Sequence, residues 1–156
     1  MRVGGNAFAV GDGSTFEIRD YDKSGTLLRI LQASARGAVI ADSDKSLEKA
    51  RILRLYGAEP PGFDDYWRSI QWPTRLPSFR RFELDSDKGV WVEMFPRWND
   101  LRPTWLVFDR EFLFKGVVTL PTGTILCAIT HRNVVAGQRS PDGRERLTLY
   151  SFVSNR

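Results

Sequence analysis

The chain has one cysteine, Cys127, one histidine, His131, and no apolar run approaching the length of a bilayer span. A lone cysteine excludes an internal disulfide framework, and its place in the apolar run 125–129 is that of a small buried thiol. A lone histidine leaves any histidine metal cluster or Ser-His-Asp arrangement resting on His131 alone. No Gly-x-Ser-x-Gly elbow accompanies it, and Thr130-His131-Arg132-Asn133 reads as a solvated turn. The first ten residues lack the charged, apolar and cleavage regions of a signal peptide. Gly4-Gly5 and Gly11-Asp12-Gly13 are followed by neither Lys-Ser/Thr nor a Gly-x-Gly-x-x-Gly pattern, so no phosphate loop and no nucleotide cofactor is expected. No catalytic residue and no metal ligand is assigned.

What is present is the material of one ordered domain. The chain has 156 residues, 42% hydrophobic, 12% aromatic and 27% charged, enough to bury a core and too apolar for intrinsic disorder. Its net charge of +4 comes from scattered Arg and Lys interrupted by acidic and apolar residues. Without a helix-turn-helix, zinc-finger or aromatic-glycine RNA-binding signature that mild excess has no docking geometry, so nucleic acid is not an expected partner.

A repeat organises the apolar segments. Tyr21-Asp22-Lys23-Ser24 and Phe108-Asp109-Arg110-Glu111 each join two short apolar strands, and the segment 147–152 repeats the first strand of that pair. Asp109 and Ser151 lie 42 positions apart and Asp22 and Asp109 lie 87 apart, about twice the period. A second set runs in phase, with Gly5, Gly89 and Asn133 each preceding a short apolar strand. A period near 40–45 residues built from four short strands is the mark of propeller blades, in which strands can be apolar on both faces, as 91–95 and 105–108 are. The expected fold is therefore all-β: about two and a half four-stranded antiparallel propeller blades in one partial domain. It divides into a partial blade over 1–40, a helical insertion over 41–77, a complete blade over 78–121 and a partial blade over 122–156.

Strands are expected at 7–10, 16–20 and 27–31, at 79–84, 90–95, 104–108 and 114–120, and at 124–129, 134–138 and 146–152. The opening blade then lacks its first strand and the closing blade its fourth. Within the insertion the pattern turns helical over about 43–72. Asp42, Ser43 and Asp44 offer N-cap oxygens to a helix over 47–56 that Gly57 ends, and Phe63, Tyr66, Trp67 and Ile70 make one apolar face of a second helix bounded by prolines.

The run Phe79-Arg80-Arg81-Phe82-Glu83-Leu84-Asp85-Ser86-Asp87-Lys88-Gly89-Val90-Trp91-Val92, followed by Pro103-Thr104-Trp105-Leu106-Val107-Phe108-Asp109, resembles the late blades of bacterial six-bladed β-propeller proteins related to the NHL and TolB-like groups. The stretch around Trp67-Arg68-Ser69-Ile70 and Leu76-Pro77 is similar to an insertion in that family. The resemblance implies a fold and an exported or cell-envelope location, without a reaction; this chain departs from the family in having no leader and no earlier blades. A piece of a longer reading frame is one expectation. The other is self-association through the open blade edges at 7–10 and 147–152, since an unpaired edge is a template for pairing.

Enzymes of the same fold class, the gluconolactonase-like and paraoxonase-like hydrolases, hold a divalent metal with carboxylate and Asn side chains drawn from several blades. The acidic turns Asp85-Ser86-Asp87 and Asp12-Gly13-Ser14 read instead as hairpin chemistry, with Asp supplying local hydrogen bonds. The leading reading is a non-enzymatic scaffold that binds a protein or small-molecule ligand; the alternative is part of a metal-dependent hydrolase or lactonase. The candidate binding residues are Trp67, Arg68, Trp72, Arg80, Arg81 and Trp98, with Arg75 and Arg97 nearby, because aromatic faces beside guanidinium groups suit anionic, sugar or peptide ligands. Against that stands a plainer role, Trp67 packing the helix onto a blade and the arginines pairing with Asp64, Asp65 and Glu83.

Overall fold

A computed structural model of the chain describes residues 2–4, 7–97, 100, 102–130, 133–140 and 142–151. It is mostly β, with three small antiparallel sheets and two short helices. The first sheet is a meander of β1 (Arg2–Gly4), β2 (Ala7–Asp12), β3 (Glu17–Asp22) and β4 (Leu27–Gln32). Two helices follow, α1 (Asp42–Tyr56) and α2 (Phe63–Ser69). The second sheet is a meander of β5 (Phe79–Leu84), β6 (Val90–Met94), β7 (Thr104–Phe108) and β8 (Phe114–Thr119). The third joins β9 (Thr124–Ile129), β10 (Asn133–Arg139) and β11 (Glu145–Ser151) in the order β11-β10-β9.

One hairpin design recurs. At Asp22, Asp85, Asp109 and Ser140 the backbone N–H bonds the carbonyl four residues on, at 2.9 to 3.0 Å, and the N–H three residues on returns to the first carbonyl. That third residue lies at positive φ every time: Gly25, Lys88, Phe112 and Gly143. This is a type I turn closed by a left-handed residue, whose twist suits antiparallel strands. The Asp side chains reinforce it: Oδ1 of Asp22 accepts the N–H groups of Ser24 and Thr26, and Oδ1 of Asp109 those of Glu111 and Leu113.

The sheets stack face on face. Ala9, Ile18 and Leu31 of the first sheet pack with Phe16 against Phe79, Phe82, Val90, Val92 and Phe108 of the second. The opposite face of the second sheet, with Trp91, Trp105 and Leu120, packs against Leu126, Val134 and Ala136 of the third. The alternation of side chains thus puts successive residues of β6 into two different cores, which explains why Val90, Trp91 and Val92 are apolar in a row. Phe16 shows how packing overrides local preference. Its φ of 46° costs about 1–2 kcal/mol for a residue with a Cβ. Its fully buried ring, edge-on to Phe79 at 5.4 Å, returns about 1.5–3 kcal/mol.

Several expectations need correction. The strand at 7–10 is no free edge, because β1 pairs with it antiparallel, Val3 opposite Phe8, and the first sheet has four strands. Three residues without apolar alternation carry no strand signal of their own. Cys127 is exposed on the outer face of the third sheet, because period-two alternation turns it away from buried Leu126 to the side of Ile125. Helix α1 begins at Asp42 with Ala41 as N-cap, and Asp44 acts from inside the first turn, its Oδ2 accepting the Ala41 N–H at 2.8 Å. Gly57 does end α1, at φ 74°, with its N–H on the Leu53 carbonyl. In α2 Phe63 is buried but Tyr66 is 60% exposed, so the apolar face is only partly used. The helices sit on a two-legged neck: Val39 bridges Arg75, and Ile40 and Leu76 donate to the Thr74 and Ala38 carbonyls.

Candidate functional site

The structure divides the candidate residues between two places. On the helical excursion the indoles of Trp67 and Trp72 meet edge to face at 5.2 Å, and Trp67 also contacts Phe63 at 5.9 Å. Arg68 points to Asp65 at 3.5 Å from an exposed position, while Arg75 donates to the Gly37 carbonyl in the neck. Trp67 therefore packs within the excursion. Asp64 is taken by Lys49 at 2.6 Å, which also lies 5.7 Å from the centre of the Phe63 ring.

Arg80 and Arg81 belong to the second sheet. A bulge between Phe79 and Arg81 brings both guanidinium groups to Glu93 of β6, Arg81 Nε at 2.5 Å and Arg80 Nη1 at 3.7 Å. The Glu93 side chain is only 4% exposed, Arg81 is 34% exposed, and Arg81 lies 5.1 Å from the centre of the Trp105 ring and 3.9 Å from Glu83. A buried carboxylate needs such partners, so these two arginines serve the sheet before any ligand. Arg97 bridges Asp100, and Trp98 lies outside the described residues, as does His131.

At the hairpin ends of the second sheet Asp85, Asp87, Asp109 and Arg110 line a hollow of about 340 Å³. Its carboxylates are committed locally. Asp85 Oδ1 accepts the N–H groups of Asp87 and Gly89, and its Oδ2 accepts the Trp91 indole N–H at 3.3 Å. Asp109 is held below the ordinary carboxylate range chiefly by Lys115, 2.8 Å away, and further by the turn N–H groups. Among the described residues no group of three potential ligands is placed to hold a metal ion. Arg29 staples this end to the first sheet: it pairs with Asp20, lies 4.4 Å over the Phe112 ring and donates to the Arg110 carbonyl.

A second open feature was not singled out by sequence. Between α1 and α2 a cleft of about 600 Å³ is walled by Ile52, Leu55, Tyr56, Pro61, Phe63 and Tyr66. Leu55 is 71% exposed and Tyr56 70%, and α1 buries no side chain at all. The volume is that of a small-ligand site. Its only trace in the sequence is the clustering of tyrosines and prolines on either side of Gly57 and Gly62.

No protein-family model, no curated protein and no solved structure matches this chain.

Proposed function

We propose that the chain is an arc of a β-propeller that acts as a binding scaffold without catalytic chemistry of its own, its ligand surface lying on the helical excursion. One observation carries the reading. The cross-strand pairs Phe8 and Tyr21, Val90 and Phe108, and Val134 and Tyr150 recur at one register in three successive sheets, each an up-and-down meander. Chains of like sheets stacked in this way support ligand surfaces on their connections, where backbone need not pair. The excursion keeps Leu55, Tyr56 and Tyr66 open beside the Trp67–Trp72 pair, whereas the arginines of β5 and the carboxylates of the hairpins already have protein partners.

The test uses the intrinsic fluorescence of the chain, titrated with uronic-acid oligosaccharides and with short aromatic peptides, beside calorimetric titration with calcium and zinc and a hydrolysis assay on simple lactones. The scaffold reading expects a spectral change with at least one of the two ligand classes that Trp72→Ala abolishes in a protein of unchanged circular dichroism. Stoichiometric metal binding accompanied by lactone turnover would overturn it in favour of the metal-dependent hydrolase.

A further inference from the structure

The three-sheet stack ends in two unlike apolar faces. On the outer face of the third sheet Ile125 is 62%, Leu147 70% and Leu149 63% exposed. These side chains share one face, because Ile125, Gly137 and Leu147 are cross-strand neighbours and Leu149 stands opposite Val135. The position of a Cβ on Gly137 would lie 3.1 Å from Cys127 Sγ and 3.6 Å from Leu147. On the outer face of the first sheet Phe8 stacks on Tyr21 at 5.2 Å, with Val10 42% and Ile30 46% exposed beside them. Arg19 on that face is already matched by Glu17 at 2.5 Å.

The register shows what each face is built to meet. With Phe8, Val90 and Val134 as equivalent positions, Tyr21, Phe108 and Tyr150 are equivalent too. Counting back along the third strands, Leu147 stands where Ile18 and Trp105 stand, and Leu149 where Asp20 and Val107 stand. Ile18 and Trp105 are fully buried, each against the next sheet in the chain. Conversely Phe8, Val10 and Tyr21 occupy the positions of Val90, Val92 and Phe108, which are buried against the preceding sheet. Gly137 matches Gly11, whose missing Cβ leaves room for the Phe82 and Phe79 rings of the neighbouring sheet, 2.8 and 2.9 Å from where it would lie.

We infer that the outer face of the third sheet of one copy packs on the outer face of the first sheet of a second copy, head to tail, continuing the interface that joins consecutive sheets within the chain. Every copy carries both halves of this contact, so it is heterologous, and assembly passes beyond the dimer or closes as a ring. The inference rests on the proposed reading of the sheets as repeats of one stack. It replaces pairing at strand edges with packing of faces.

Mixing single-face variants tests it. Leu149→Glu places a charge on the third-sheet face and Ile30→Glu on the first-sheet face, and both sites are open to solvent in the isolated chain, so circular dichroism and the unfolding midpoint stay close to the parent. By sedimentation velocity up to tens of micromolar, the parent chain forms species beyond the dimer. Each variant alone is monomeric, with its association weakened by about tenfold or more, and an equimolar mixture stops at the heterodimer, since one intact face of each kind remains. A parent chain that stays monomeric, a mixture that stays monomeric, or a single variant that still dimerises overturns the inference, the last pointing to edge pairing or a like-with-like face. Leu149→Ser and Ile30→Ser replace either glutamate variant that fails to fold. A monomeric parent chain with normal ligand-induced fluorescence changes would refute this contact alone and leave the scaffold reading intact.

Discussion

Removing Arg81 is expected to destabilise the protein far more than removing its partner Glu93. The Glu93 side chain is 4% exposed in the layer between the second and third sheets, where a lone carboxylate has lost its water. Breaking a buried pair from one side typically costs about 3–5 kcal/mol. Arg80, 3.7 Å from Glu93, remains and reduces this to about 2–3 kcal/mol for Arg81→Met. Glu93→Met is different: the guanidinium left behind is 34% exposed, keeps Glu83 at 3.9 Å and can turn to water, while the new thioether packs against the indole of Trp105. That variant costs about 0–1 kcal/mol, and the double variant lies within about 1 kcal/mol of the parent. Urea unfolding of the four proteins of this cycle measures the difference. For a chain of this size each kcal/mol corresponds to roughly 2–4 °C in Tm, so Arg81→Met melts about 4–12 °C lower. Equal losses for the two single variants, or a double variant at their sum, would refute the asymmetry.

Four further outcomes follow from local geometry. Thr124 Oγ1 is buried with no hydrogen-bond partner among the described residues, so Thr124→Val removes an unpaid desolvation and raises the urea midpoint by the equivalent of about 1 kcal/mol; a loss of stability would show that the hydroxyl is satisfied. Lys88 stands at φ 63° in its hairpin, so Lys88→Gly relieves left-handed strain and raises Tm by a few degrees, about 1 kcal/mol. Phe112→Gly at the equivalent turn position lowers it, because the ring beneath Arg29 is lost. In acid, Asp22, Asp109 and Asp142 are held below their ordinary value by their hydrogen bonds, and Asp100 is held down to about 2 by Arg102. Their folded-state values are depressed, so their stabilising effect is complete above about pH 4–5 and fades as pH falls toward 2. Denaturation midpoints between those limits should fall with pH, less steeply in Asp109→Asn, and an unchanged slope in that variant would count against its hairpin role.

Alternation, turn chemistry and helix stop signals lie within a few residues of one another, which is why the strands of the second sheet, the Asp22 and Asp109 hairpins and the Gly57 terminus were all readable along the chain. The start of α1 was misread because Asp44 caps from inside the turn, and β1 was missed because its pairing with β2, rather than its own residues, makes it a strand. Trp67, Trp72, Arg80 and Arg81 are close in sequence, and charge with aromaticity made them look like one surface; a bulge in β5 and a carboxylate on the neighbouring strand divided them. Trp98 was read on the same signal and lies outside the described residues. The cleft between α1 and α2 leaves only its clustered tyrosines and prolines as a local sign, since its walls come from both sides of a turn and from side chains left uncovered.

The sequence by itself determined the strands other than β1 and how they turn, because period-two alternation and Asp-led hairpins are short-range properties. Tertiary structure alone decided which faces are covered. Equivalent third-strand positions hold Ile18 and Trp105 fully buried and Leu147 70% exposed. All three side chains are apolar, and only the presence of a neighbouring sheet across the interface makes the difference.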